Sequence, residues 1–229
     1  MFLLTYQFVN IFLAVVSYMN LLSKLFIQYP ILLFAITVHE YAHGKTAEYF
    51  GDDTARVLGR LTLNPLAHID ILGTVILPLL AIISGIPLFG WAKPVPVNMY
   101  IMTRQQVMFV GLAGPFANFF TAGVFSLVYY LLQSWNINLY GADIIFIYAV
   151  VINIILAVFN LIPIPPLDGS KVLEGFLPYS LARNYENIFR QYGFFILIFL
   201  LYSGILWNLL SPIVNFLVKL FLPKIPLLL

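Results

Sequence analysis

Long apolar stretches are the feature that most limits what this chain can fold into. Windows of the length that crosses a bilayer as a helix fall near residues 2–22, 27–50, 71–89, 106–133, 143–163 and 192–221. Only 9% of the residues are charged, too few to give a soluble protein its polar shell. The sequence therefore predicts an all-α polytopic membrane protein with about five or six transmembrane helices. We expect a single domain over residues 1–229, with its core at 27–175.

Composition also excludes several functions. A net charge of +2 without a dense basic run gives no basis for binding nucleic acid. The chain has no cysteine, so any metal must be held by His, Asp or Glu. The apolar N-terminus has neither a basic region nor a clear cleavage site, which favours a retained segment over a signal peptide.

The basic residues distinguish two topologies, which differ in whether residues 71–89 cross the membrane. If every window spans, the two sides hold five and six of the 11 basic residues, which is no bias. If 71–89 dips in and returns, one side collects Lys45, Arg56, Arg60, Lys93, Arg104, Lys171, Arg183 and Arg190. That asymmetry matches the positive-inside rule, and Gly73, Pro78, Gly85 and Pro87 suit a broken, re-entrant segment. We therefore expect the loops after the second, third and fifth windows to be cytoplasmic.

The motif HEYAH at residues 39–43 carries the strongest chemical signal. His39 and His43 lie one helical turn apart, so both imidazoles project from one face and each can give a nitrogen to a metal ion. Glu40 is close enough to take a proton from water at that metal, as in the H-E-x-x-H motif of zinc hydrolases. Ionisable groups deep in a bilayer cost about 2.5–3.5 kcal/mol each. A chance pattern is the alternative, disfavoured because two of only three histidines lie here.

A catalytic zinc needs a third protein ligand. The longer motif of soluble enzymes, H-E-x-x-H-x-x-G-x-x-H, fails because Thr46 and Tyr49 stand at its glycine and third histidine. Asp168 remains the strong candidate, since it follows an apolar window in a segment broken by prolines. In the re-entrant topology it lies toward the same membrane face as the end of the His39 helix. A turn-forming role for Asp168 is the alternative.

These motifs carry a resemblance to a known family. H-E-x-x-H in an early membrane helix and N-x-x-P-x-P-x-L-D-G at 160–169 resemble the site-2 proteases, which are intramembrane zinc metalloproteases. The stretches GRLTLNPLAHID, FGWAKPVPVN and GLAGPFAN resemble the compact prokaryotic branch without PDZ or CBS domains. The resemblance implies one zinc per chain, held by His39, His43 and Asp168. It also implies Glu40 as the catalytic base and Asn160 as a polar group near the substrate carbonyl or oxyanion.

The resemblance further implies regulated intramembrane proteolysis, in which peptide bonds are hydrolysed inside the transmembrane segments of single-span membrane proteins. Because a bilayer excludes water, such a site must lie in a wet, protein-lined pocket. We expect this pocket to open toward the cytoplasmic side of the plasma or inner membrane. Two alternatives are a transporter whose His and Asp carry ions or protons and an inactive scaffold that binds transmembrane helices. The adjacent glutamate disfavours the first, and the intact motif residues disfavour the second.

Two loop features give further expectations. The segment WAKPVPVN at 91–98 cannot be helical across Pro94 and Pro96, so it is predicted to be extended. It either offers an edge to which an unwound substrate adds as a strand or is a plain connection. His68 is expected to brace the re-entrant segment rather than to bind metal.

Two helix features complete the predictions. Gly111, Gly114 and Asn118 share one helix face with Pro115, which predicts close approach of a neighbouring helix, with Asn118 available to bond a catalytic-motif loop. Pro212 is expected to break the last window, because proline cannot continue the helical hydrogen bonding.

Overall fold

The computed structural model describes residues 24–77, 79–80, 92–139 and 141–223, and the regular elements in these ranges are all helical. This confirms the predicted all-α class. The α-helices are α1 (Tyr29–Tyr49), α2 (Thr54–Val57), α3 (Arg104–Ser134), α4 (Asp143–Asn160), α5 (Asp168–Phe176), α6 (Tyr179–Tyr202) and α7 (Ile205–Phe221). Short π-helical or 3₁₀ turns occur at Lys24–Gln28, Pro65–His68, Ile71–Ile76 and Met99–Ile101.

The helices α1, α3 and α4 follow three of the predicted windows closely. By length and composition, α3 and α4 can each cross a membrane, and the last part of α6 forms a third candidate with α7 if the two are one broken span. The window at 2–22 and most of 71–89 lie outside the described residues, so the full number of spans stays a prediction.

The break in the last window lies earlier than predicted. The helix α6 ends at Tyr202, Gly204 adopts a left-handed conformation with φ of 73°, and α7 leaves at an angle of 75°. Glycine takes this conformation without the steric cost of a Cβ atom. The expectation that Pro212 ends the helix was wrong, because Pro212 lies inside α7. Burial continues on both sides of it, at Leu210 and Val214, so packing outweighs the lost backbone hydrogen bond.

The main apolar core lies between α3, α4 and α7. Its fully buried members include Ala122 on α3 and Val150 and Ile154 on α4. A smaller cluster joins Ala35 of α1 to Ile152 of α4. Together these contacts hold α1, which carries both motif histidines, against α3 and α4.

The loops at one end of the bundle are joined by hydrogen bonds to backbone atoms. The N–H of Asn98 donates to Asp52 Oδ2 at 2.6 Å, and the N–H of Lys93 donates to the carbonyl of His68 at 3.0 Å. The residues that flank the segment predicted to be re-entrant, His68 and Lys93, therefore lie side by side.

The turn after α5 joins the same end of the bundle. Arg104, the first residue of α3, donates from Nη2 to the carbonyl of Leu177 at 2.8 Å. The preceding residue, Thr103, forms a capping box with Gln106, which fixes where α3 begins.

Candidate metal centre

Three side chains from distant parts of the sequence converge at the centre of the bundle. His39 Nε2 and His43 Nε2 each lie 3.1 Å from Asp168 Oδ2, and the two Nε2 atoms are 3.0 Å apart. All three residues are buried. In a tetrahedral zinc site with bonds of about 2.0–2.1 Å, neighbouring ligand atoms lie about 3.3 Å apart. The observed triangle is close to that size.

Local sequence explains how Asp168 reaches the histidines. It is the first residue of α5, directly after the proline-rich turn at 161–167. A Cβ atom on Gly169 would lie 2.2 Å from the carbonyl oxygen of Leu161. Only glycine therefore allows α5 to begin so close to the end of α4.

Glycines of α3 form the wall of the centre. A Cβ atom on Gly114 would lie 2.4 Å from His43 Nε2 and 2.6 Å from His39 Nε2, in the space where the ligand atoms meet. One turn earlier, a Cβ on Gly111 would approach the carbonyl oxygen of Asp168 to 3.2 Å. The close approach predicted at this helix face is thus made by the imidazoles of His39 and His43, which lie on α1.

The outer nitrogen of each imidazole is held by an oxygen acceptor. His39 Nδ1 lies 2.6 Å from Asn118 Oδ1, and His43 Nδ1 lies 2.7 Å from the carbonyl oxygen of Val110. Because these oxygens only accept, each Nδ1–H donates, and in the neutral imidazoles the Nε2 lone pairs face inward.

In the neutral imidazoles the inner nitrogens carry no proton with which to bond one another or Asp168. Two nitrogen lone pairs and a carboxylate oxygen repel at 3.0–3.1 Å unless a cation lies between them. This donor set therefore fits a divalent metal, and imidazole and carboxylate are ligands that zinc accepts.

The second carboxylate oxygen of Asp168 has its own partner. The ammonium of Lys171, one turn further along α5, donates to Asp168 Oδ1 at 3.1 Å. Oδ2 is the oxygen that faces the histidines. Lys171 was not among the predicted site residues, although it follows the motif directly in the sequence LDGSK.

Glu40 is held by the segment 92–98, which has irregular backbone. Its Oε2 accepts a hydrogen bond of 2.8 Å from the N–H of Val95. A Cβ atom on Gly44 would lie 2.8 Å from Val95 Cγ1, so this glycine gives the valine room to pack on α1. The bond places the segment beside the glutamate.

The structure gives Asn160 and His68 hydrogen-bond partners outside this cluster. Asn160 is the last residue of α4, half-buried, and its amide donates to the carbonyl of Leu156 at 3.0 Å. His68 is buried and bonds the carbonyl of Thr62 through Nε2 at 2.9 Å. Within the described part of the chain, the group able to hold a metal consists of His39, His43 and Asp168. His68 thus braces the loop that precedes the predicted re-entrant segment.

The chain is similar to known metalloproteases. The model of "Peptidase family M50" matches residues 135–201, which include Asn160 and Asp168. "Putative zinc metalloprotease YwhC" of Bacillus subtilis is 33% identical over 216 residues, covering 86% of this chain and 95% of that protein. "Putative zinc metalloprotease Rip2" of Mycolicibacterium smegmatis is 34% identical over 172 residues, or 74% of this chain and 64% of that protein. No solved structure matches the chain.

The helical fold and its buried His-His-Asp centre define a membrane protein of the metalloprotease class. The chain belongs to the site-2 protease family, Peptidase family M50.

Proposed function

We propose that this protein is a zinc-dependent endopeptidase that hydrolyses peptide bonds within the transmembrane segments of single-span membrane proteins. One observation carries the proposal: the inner nitrogens of His39 and His43 meet Asp168 Oδ2 from a distant part of the chain. Glu40 lies next to His39 in the same helix. The zinc metalloprotease names of the relatives support the same activity.

One zinc ion per chain would be held by His39, His43 and Asp168. When bound, zinc supplies a Lewis acid that polarises a peptide carbonyl and makes water more acidic. The hydrogen bond from Lys171 occupies Asp168 Oδ1 and leaves Oδ2 for the metal.

Glu40 acts as the general base. Because Val95 holds Oε2, Oε1 is the oxygen that takes the proton from the attacking water. The same carboxyl then gives that proton to the leaving amine as the peptide C–N bond breaks.

Asn160 is proposed to contact the substrate carbonyl. One N–H of its amide donates to Leu156 within α4, and an amide NH₂ has a second N–H with which to bind a substrate oxygen. The carbonyls of a substrate helix are bonded internally as well. We therefore expect cleavage near residues that weaken a helix, such as Gly, Pro or Asn.

The site is proposed to open toward the cytoplasm of the cell that carries the protein in its plasma or inner membrane. The loops around Asp52, His68 and Lys93 meet at one end of the bundle, as the re-entrant topology requires. Two of the basic residues assigned to the cytoplasmic side, Arg60 and Arg104, bond backbone atoms at that end. The positive-inside rule then gives the orientation.

The test compares the wild-type full chain with Glu40→Gln, purified in detergent. Zinc is counted in each, and membrane proteins retained by Glu40→Gln are incubated with fresh wild-type or variant protein. We expect one zinc in both and new fragments, cut inside a membrane segment, with the wild type alone. Glu48→Gln is the matched control, since Glu48 lies on the same helix but pairs with Lys45 at the exposed end.

Two results would overturn the proposal. One is a wild-type protein that binds no zinc when supplied with it. The other is equal cleavage of the same proteins by wild type and Glu40→Gln, which would remove Glu40 from the role of base.

A further inference from the structure

Two asparagines with no exposed surface, Asn118 on α3 and Asn153 on α4, lie behind the metal centre. Asn118 Oδ1 is 2.6 Å from His39 Nδ1. The amide nitrogen of Asn118 donates both to the carbonyl of Ala35, at 3.0 Å, and to Asn153 Oδ1, at 2.8 Å. The amide nitrogen of Asn153 donates in turn to the carbonyl of Ala149 at 2.8 Å.

The two backbone carbonyls give this series of bonds a direction. A carbonyl oxygen only accepts, so Ala149 faces the NH₂ group of Asn153, whose oxygen must then face Asn118. Ala35 and Asn153 both present oxygens to Asn118, so Asn118 turns its NH₂ group toward them and its own oxygen toward His39. Rotating the Asn118 amide by half a turn would place oxygen against oxygen at both contacts.

The orientation of Asn118 determines the tautomer of His39. An oxygen at Nδ1 requires a proton on Nδ1, which leaves the Nε2 lone pair directed at the metal. We propose that Asn118 and Asn153 are positioning residues that hold His39 in the tautomer able to bind zinc. This inference rests on the proposed function, and it extends control of the site to α4, a helix that contributes no ligand within the part of the chain described here.

Asn153 contributes by satisfying the second amide proton of Asn118. Both asparagines are completely buried, so no water replaces a lost partner. With leucine at position 153, that amide proton would be buried without an acceptor, which favours movement of Asn118 away from its present orientation. Aspartic acid at 153 has the same shape as asparagine and, with its buried carboxyl protonated, keeps an oxygen toward Asn118 and turns an O–H toward the carbonyl of Ala149.

The test measures zinc affinity of the full chain in detergent, by competition with a chelator. Asn153→Leu and Asn118→Leu are each expected to weaken zinc binding about tenfold or more, and Asn153→Asp is expected to stay close to the wild type. Thr121→Val is the matched control, because it removes a buried hydroxyl of α3 that bonds only the carbonyl of Ala117. It should leave zinc affinity unchanged.

A second measurement needs no variant. Nitrogen NMR of the metal-free wild type, labelled at histidine and kept in alkaline buffer, distinguishes the two neutral tautomers. We expect the proton of His39 on Nδ1 in the wild type and a mixture of tautomers in Asn153→Leu.

A dominant proton on Nε2 in the wild type would overturn the inference, as would unchanged zinc affinity in Asn153→Leu. The NMR result decides the inference even if Asn153→Leu does not fold. Failure of the wild type to bind zinc would instead overturn the proposed function, so the two failures are distinguishable.

Discussion

The N–H of Val95 donates a hydrogen bond of 2.8 Å to Oε2 of Glu40. The segment that carries Val95 is itself held by Arg60, whose Nη2 donates to the carbonyls of Lys93 and Pro94 at 2.9 and 3.3 Å. The position of the proposed base thus depends in part on an arginine in the loop after α2.

Replacing Arg60 is expected to lower cleavage without removing zinc. In Arg60→Gln the segment loses two of its hydrogen bonds to the preceding loop, so the bond from Val95 holds Glu40 less firmly. We expect kcat to fall at normal zinc content, by at most the roughly 10²–10⁴-fold that a positioned general base contributes. Arg56→Gln is the control, since Arg56 is exposed and pairs with Glu48. Equal kcat in wild type and Arg60→Gln would contradict this prediction.

Gly114→Ala is expected to abolish zinc binding and activity together. The added Cβ would lie 2.4 Å from His43 Nε2, and the neighbouring atoms are rings held at their outer nitrogens. Gly123→Ala lies on the same helix, where the added Cβ meets only Phe221 at an ordinary 3.6 Å. Zinc content and thermal unfolding of the two variants check the prediction. Normal zinc in Gly114→Ala would mean that the rings move apart easily.

Lys171→Met is expected to weaken zinc binding about tenfold, the lower end of the range for partners of metal ligands. The change frees Asp168 Oδ1 and removes the ammonium that fixes the carboxylate. Lys45→Met replaces an exposed lysine paired with Glu48 and should bind zinc like the wild type. Chelator competition measures both variants, and equal affinities would rule out a positioning role for Lys171.

Asp52 is expected to make stability depend on pH in the acidic range. Burial raises the pKa of its carboxyl, but hydrogen bonds from Thr54 and from the N–H of Asn98 outweigh that effect and leave the pKa below its usual value. A lowered pKa in the folded state means that the stabilisation is complete above the unfolded pKa of about 3.9 and is lost as the pH falls through the folded pKa.

Asp52→Asn should therefore unfold at a lower temperature than the wild type near neutral pH, by an amount equivalent to about 1–3 kcal/mol. Thermal unfolding in detergent as a function of pH checks this. The difference in Tm should stay constant down to about pH 4 and shrink below it. A difference that does not change with pH would assign the effect to packing rather than to the charge.

The sequence predicted much of the candidate site, because its ligands belong to short motifs whose geometry is local. One helical turn separates His39 from His43, and the topology suggested by the basic residues placed Asp168 at the same end of the bundle. The contact between Lys93 and the carbonyl of His68 agrees with that topology. The ligand roles of His39, His43 and Asp168 remain predictions, as do the roles assigned to Glu40 and Asn160.

The parts that were missed depend on which helices are neighbours. Asn153 was visible as a polar residue in an apolar helix, but the sequence of that helix does not show that Asn153 faces Asn118. The donor to Glu40 is the backbone N–H of Val95. Every residue except proline has such an N–H, so the sequence does not show which one lies beside Glu40. The bend at Gly204 was missed because proline is the stronger helix breaker, while the actual break depended on how α7 packs.

The bond from His43 to the carbonyl of Val110 makes the two imidazoles unequal. A main-chain oxygen is present whichever amino acid occupies position 110, so mutation has no direct means of giving His43 another acceptor. His39, in contrast, depends on a side chain that a single codon change replaces. Efforts to alter the metal preference of this protein, whether by selection or by design, therefore have one adjustable histidine and one fixed one.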